Sequence, residues 1–197
     1  MKWRLILAAA LTLLAGEAAV AAEMRDQPWP ASQEGLGLDA DGFDSWADAH
    51  AVFPAPVKVT PPAAGTPQAL KEYSGVWDGW MCRARSTDLK VAFTKIGPKS
   101  ATATVAWAET ESTRGSATVN LALVGDEFRS SGPDVLYKFH LRGFDDVRAG
   151  LPVMDVMRVQ GDGSWCNGIL RKVSANSYPA RAARSRVIVS SLRRDIG

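Results

Sequence analysis

The sequence predicts an all-β protein: an antiparallel meander of about eight or nine strands, closed or nearly closed into a small barrel. An irregular, proline-rich arm precedes it. Three observations lead there. Apolar residues recur with period 2 in one run after another from Tyr73 onward, the mark of strands with one buried face. Turn residues separate the runs at short, regular intervals: Gly97-Pro98, Arg114-Gly115, Gly125-Asp126, Ser131-Gly132-Pro133 and Gly161-Asp162-Gly163. The chain has two cysteines, one in the first strand and one near the end of the meander.

Residues 1–22 have the form of a cleavable signal peptide. Lys2 and Arg4 give a positive start, Leu5 to Ala15 is an uncharged apolar run, and Ala19-Val20-Ala21 fits a small-x-small cleavage site. A run of about 11 residues is too short for a membrane span, which needs roughly 20. No cysteine sits at the cleavage point, so the mature chain is expected free in the periplasm or secreted. Residues 23–68 form the arm. Seven of the eleven prolines fall in it, and its seven acidic and two basic side chains give a net charge of −5. Proline removes a backbone donor and biases its predecessor away from helix, so the arm is expected to be mostly irregular, with one helical turn near Asp44–Asp48 capped by Asp44. Trp29, Trp46 and Phe53 are the apolar residues with which it would dock.

The β domain covers residues 69–192. Strands are predicted at 74–85, 89–95, 101–108, 116–123, 127–131, 135–142, 153–160, 164–173 and 186–192. Residues 69–170 carry twelve charges of each sign. A short basic tail, 193–197, follows, and residues 171–197 together carry a net +6. A solvated final strand and tail is the plain reading of that charge. Contact with an anionic surface, or with the acidic arm, is the functional one. Cys82 and Cys166 are expected to pair in an oxidising compartment. That bond would bring first and late strands together and favour a closed barrel over an open sheet. Closing so long a loop stabilises by roughly 4–5 kcal/mol in the chain-entropy treatment.

The domain opens with Tyr73-Ser74-Gly75-Val76-Trp77-Asp78-Gly79-Trp80. Gly75-x-Trp77 at the head of a meander resembles the lipocalin and avidin group of small barrels, the calycins. The resemblance implies that Trp77 plugs one barrel end, that a late basic residue (Arg171, Lys172 or Arg186) packs over it, and that the barrel holds a small ligand. The Thr-Asp-Tyr-like turn of lipocalins has no counterpart here. The Gly-x-Trp-x-Gly opening, with the later Ala103-Thr104-Val105-Ala106-Trp107 strand, also resembles uncharacterised β modules of bacterial envelope proteins, which bring no known chemistry.

Candidate binding residues are Trp77, Met81, Arg83 and Arg85. At a spacing of two they share one face of the first predicted strand, where paired arginines clamp a carboxylate or phosphate. Trp77 and Trp80, three apart, point to opposite faces. Trp77, Trp80, Trp107 and Trp165 are expected to be mainly core. Lys138, His140 and Arg142 form a basic stripe opposite Tyr137, Phe139 and Leu141, expected to face solvent or an anionic partner. No catalytic residue is assigned. A Gly-x-Ser-x-Gly elbow is absent, and the carboxylate pairs Asp145-Asp146 and Glu109/Glu111 read as surface acids. Asp39, Asp41, Asp44 and Asp48 lack the glycine and glutamate positions of a calcium loop. Two cysteines and two histidines without ligand spacing suggest no metal, and no cofactor or nucleic-acid motif is present.

These readings converge on an exported, non-enzymatic β domain that binds a small molecule or an envelope protein. The rivals are a structural or regulatory subunit of an envelope complex and a hydrolase with an unrecognised site. If Val91, Phe93, Val105, Leu121 and Phe139 fill the interior, no cup remains.

Overall fold

The computed structural model describes residues 43–130, 135–142 and 152–174. The predicted signal peptide, Trp29, Asp145-Asp146, Arg186, the predicted strand 186–192 and the basic tail lie outside them. Eight antiparallel strands follow one another in chain order and close into a barrel, β8 pairing with β1. They are β1 Gly75–Met81, β2 Thr87–Ile96, β3 Ser100–Ala108, β4 Arg114–Val124, β5 Glu127–Ser130, β6 Val135–Arg142, β7 Val153–Gln160 and β8 Trp165–Ser174. One short helix, α1 (Gln68–Lys71), precedes β1.

Alternation sorts each strand into an inner and an outer row. Trp77 on β1 stands between Val91 on β2 and Lys172 on β8, and all three face inward. Tyr73, Phe93, Phe128 and Phe139 meet in one aromatic cluster with ring centroids 4.9–6.0 Å apart. Edge-on and tilted contacts of this kind fill space densely and suit the ring quadrupoles. The cluster occupies the barrel end from which α1 leads into β1, and Leu70 of α1 belongs to the same core.

The seam between β1 and β8 depends on two glycines. A Cβ on Gly79 would lie 2.1 Å from the Ile169 carbonyl oxygen, and one on Gly168 would lie 2.0 Å from that of Trp80. Only residues without a side chain let these two backbones approach so closely. The Cys82–Cys166 disulfide closes the same seam at its far end, with Cα atoms 4.7 Å apart.

The first strand is shorter than the sequence predicts. It ends at Met81, because Cys82 takes φ +69° and a 3-10 turn, Arg83–Arg85, follows. The arm also differs from its prediction. No helical turn forms at Asp44–Asp48; the chain from Phe43 to Thr66 runs irregularly over the outside of the barrel. Phe43 packs on Trp80, Val153 and Ile169. Ala49 and Ala51 meet Ala106 and Ala108, small residues on both sides that allow close approach. Thr60 N and Ala63 N donate to the carbonyls of Thr94 and Ile96. Asp88 and Lys90, on the outer row of β2, hold the middle of the arm. Asp88 accepts from Ser45 Oγ (2.5 Å) and Ala51 N (2.8 Å), and Lys90 Nζ donates to the Ala51 carbonyl (2.6 Å). Phe53 docks as expected from the sequence. Trp46 stays 67% exposed, its ring lying against the Arg85 guanidinium.

Candidate functional site

The two ends of the barrel differ. At the α1 end Trp77 is fully buried, and its Nε1 donates to the Tyr73 carbonyl (2.8 Å). Lys172 lies over its ring, 5.5 Å from the centroid, and donates from Nζ to the Glu72 carbonyl (2.7 Å). Of the three basic residues considered from the sequence, Lys172 is the one in this position. Arg171 points outward onto Phe43, and Arg186 lies outside the described residues. Burial lowers the Lys172 pKa, with Glu72 opposing. The Tyr73 hydroxyl sits among the Asp126 and Phe139 carbonyls and the Leu141 amide, and burial pushes its pKa well up. This end is stoppered.

At the other end the inward side chains thin out. Trp107, Val119, Val135, Cys82 and Cys166 pack against the core cluster but remain partly exposed, and Ala117 on the same inner row is also partly exposed. The Trp107 ring lies across Gly115, where a Cβ would come within 2.6 Å of it. β4 is much longer than β5: it pairs with β3 along its length, but with β5 only from Leu121 to Val124. Among the described residues no strand pairs with β4 on that side beside Ala117 and Val119.

One charged group enters this space. Arg158 on β7 stands in register with Tyr137 on β6 and Cys166 on β8, in the inner row with Met154 and Val156. The Tyr137 side chain is hydrogen-bonded to the Arg158 guanidinium. Burial raises the Tyr137 pKa, and the adjacent Arg158 charge works against that rise. The Tyr137 backbone is fixed by its N–H donating to Ser130 Oγ (2.8 Å). Nε of Arg158 is buried and has no hydrogen-bond acceptor among the described residues.

The residues singled out from the sequence do not form one site. Trp77 is the plug of the filled end. Met81 is fully buried in the core. Arg83 and Arg85 do not share the Trp77 face, because the strand has ended before them. Arg83 is exposed, and Arg85 lies on the outside over Trp46 and Trp80. The Lys138, His140 and Arg142 stripe does lie on the outer row, but it is not the solvated face expected. Lys138 is 2% exposed. Arg142 Nε donates to Asp155 Oδ2 (2.7 Å), and His140 Nε2 lies 3.3 Å from Asp126 Oδ2. Trp80 packs outside and Trp165 is 42% exposed. From the residues singled out, Cys82, Cys166 and Trp107 border the open end. Arg158 and Tyr137 as a pair were not legible, for a reason visible in β7: Val-Met-Asp-Val-Met-Arg-Val-Gln carries a charge in each row, so alternation does not decide which faces in. Tyr137 was already placed on an inner row, and pairing β7 with it would have turned Arg158 inward.

Among the described residues no group of three His, Cys, Asp or Glu side chains is placed to hold a metal ion. No described helix is long and apolar enough to cross a membrane. Comparison with protein-family models and with curated proteins gives no match.

Proposed function

We propose that this chain is an exported, non-enzymatic barrel that takes a small ligand at the end opposite Trp77. The observation that carries the reading is the asymmetry of the interior. Aromatic rings fill one end and a lysine covers the plug, while the other end presents partly exposed apolar side chains around an inward arginine. A concave apolar surface with one or two oriented polar groups is the usual form of a small-molecule site. The Gly75-x-Trp77 resemblance to calycins agrees with this placement. Export is supported by the leader-like first 22 residues and by the disulfide, a bond that persists in oxidising compartments. Binding is favoured over catalysis because the inward polar pair is a guanidinium and a phenol with no nucleophile–base pair beside it among the described residues.

Native mass spectrometry of the protein purified gently from its own envelope fraction tests the reading. An adduct of small mass, lost on denaturation, is the expected result. A stoichiometric second protein would favour the subunit alternative, and a bare chain at every preparation would count against a resident ligand.

A further inference from the structure

We infer that the ligand of the open end is a small amphiphile with an anionic headgroup, a carboxylate in the first instance, received by Arg158 and Tyr137. The inference rests on the binding reading above and adds the chemical class.

A guanidinium turned into an apolar barrel is costly unless it is paired, yet Arg158 takes part in none of the ion pairs among the described residues. The inner rows of the eight strands contain no aspartate or glutamate. The acids of the described loops at the same end are engaged elsewhere. Glu109 accepts from Thr87 Oγ1, Glu111 pairs with Arg114, and Asp162 accepts from the Ser164 amide. Across the wall, Asp155 is held by Arg142 on the outside. Among the described residues Nε of Arg158 is therefore a buried donor with no acceptor, and an anion is the group that satisfies it most strongly, by a charge-assisted hydrogen bond.

Tyr137 completes the receptor. Its phenol oxygen accepts from the Arg158 guanidinium, which leaves the O–H proton free to donate to the same anion. A carboxylate offers two oxygens, one for each donor. The rest of the ligand is apolar because the facing wall is apolar. In a closed ring of eight, β3 and β4 stand across from β7 and β8, and they present Trp107, Ala117 and Val119. The headgroup sits on the β6–β7 wall and the body lies over the β3–β4 wall. The filled α1 end limits how deep it goes, so the body is short.

The test measures binding of octanoate, octyl phosphate and octanol to the full chain by calorimetry, with Arg158→Met and Tyr137→Phe compared and circular dichroism confirming that both variants fold. Octanoate is expected to bind roughly tenfold to a hundredfold tighter than octanol, the range for a hydrogen bond to a charged group. Arg158→Met should remove that preference, bringing the octanoate and octanol affinities to within about twofold of each other. Tyr137→Phe should reduce the preference in part. Tighter binding of octyl phosphate would keep the anion receptor and move the headgroup from carboxylate to phosphate. Equal binding of octanoate and octanol to the unaltered chain, or a preference that survives Arg158→Met, would overturn the anion inference and leave the binding reading standing. No binding of any of the three would overturn both. If Arg158→Met fails to fold, Arg158→Gln decides: it keeps a polar side chain but removes the charge, and an unchanged preference for octanoate over octanol would overturn the inference.

Discussion

Asp88 shows how much a single outward residue decides. Its carboxylate is buried against the arm and accepts one hydroxyl and one amide hydrogen bond. Its removal leaves the Ala51 N–H without its acceptor, and a lost partner of this kind costs about 1–3 kcal/mol. Asp88→Ala is therefore expected to lower the unfolding free energy by that amount, read from urea unfolding, and to make residues 43–66 the first site of limited proteolysis. An arm that stays protected would show that the alanine and Phe43 contacts hold it unaided. Gly79 and Gly168 have the opposite character: nothing can be added to them. Gly79→Ala puts a methyl group 2.1 Å from a backbone oxygen, and the strand pair must part to admit it. The expected result is a loss of several kcal/mol or a chain that does not fold, measured by urea unfolding. Arg158 is the residue that period 2 alone could not place, since both rows of β7 contain a charge and a run of apolar residues.

Elements were easier to read than sites. β3, β6, β7 and β8 fall within a residue or so of their predicted bounds, because turn residues bracket these apolar-rich runs. β1 was drawn too long because alternation continues in the letters after Met81, while the left-handed Cys82 ends the strand in space. β2 is buried on both faces for most of its length. The arm covers its outer Asp88 and Lys90, and nothing in an irregular arm announces which strand it will cover. The Trp77 plug was legible from Gly-x-Trp, and the cysteine pairing from compartment and count. At this scale the disulfide has a clear consequence. It closes the β1–β8 seam across 84 positions, so Cys166→Ser is expected to cost about 2–5 kcal/mol, read as a lower melting temperature without loss of the β signature in circular dichroism. A chain starting at Leu70 should likewise melt lower than the full one, since it lacks the Phe43 and Asp88 contacts. An unchanged melting temperature would mean that the arm contributes nothing to stability.

For the whole molecule, the closed barrel makes stability depend on alkaline pH in a defined direction. Tyr73 and Tyr137 both have raised pKa values, chiefly through burial. Above the ordinary phenol value of 10.0 the unfolded chain releases these protons while the native barrel keeps them. The unfolded state then binds fewer protons, and stability falls as pH rises from about 10 upward. Lys172 acts the other way just below its ordinary 10.5, because burial lowers its native value; the native barrel releases that proton first, so stability gains slightly there. Urea midpoints measured from about pH 8 to about pH 11 should pass through a shallow maximum and then drop. Tyr137→Phe should soften the drop. A midpoint flat across that range would mean that neither phenol is shielded.

The central claim is that the barrel is filled at the Trp77 end and receives its ligand at the Arg158 end. The most direct measurement is a two-dimensional amide NMR titration of the full chain with octanoate. The predicted result is a set of shifts centred on Trp107, Ala117, Val119, Tyr137 and Arg158, with Trp77, Phe93 and Phe139 unmoved. Shifts centred on Trp77 and Lys172 would contradict it, and would place the opening at the end assigned here to the plug.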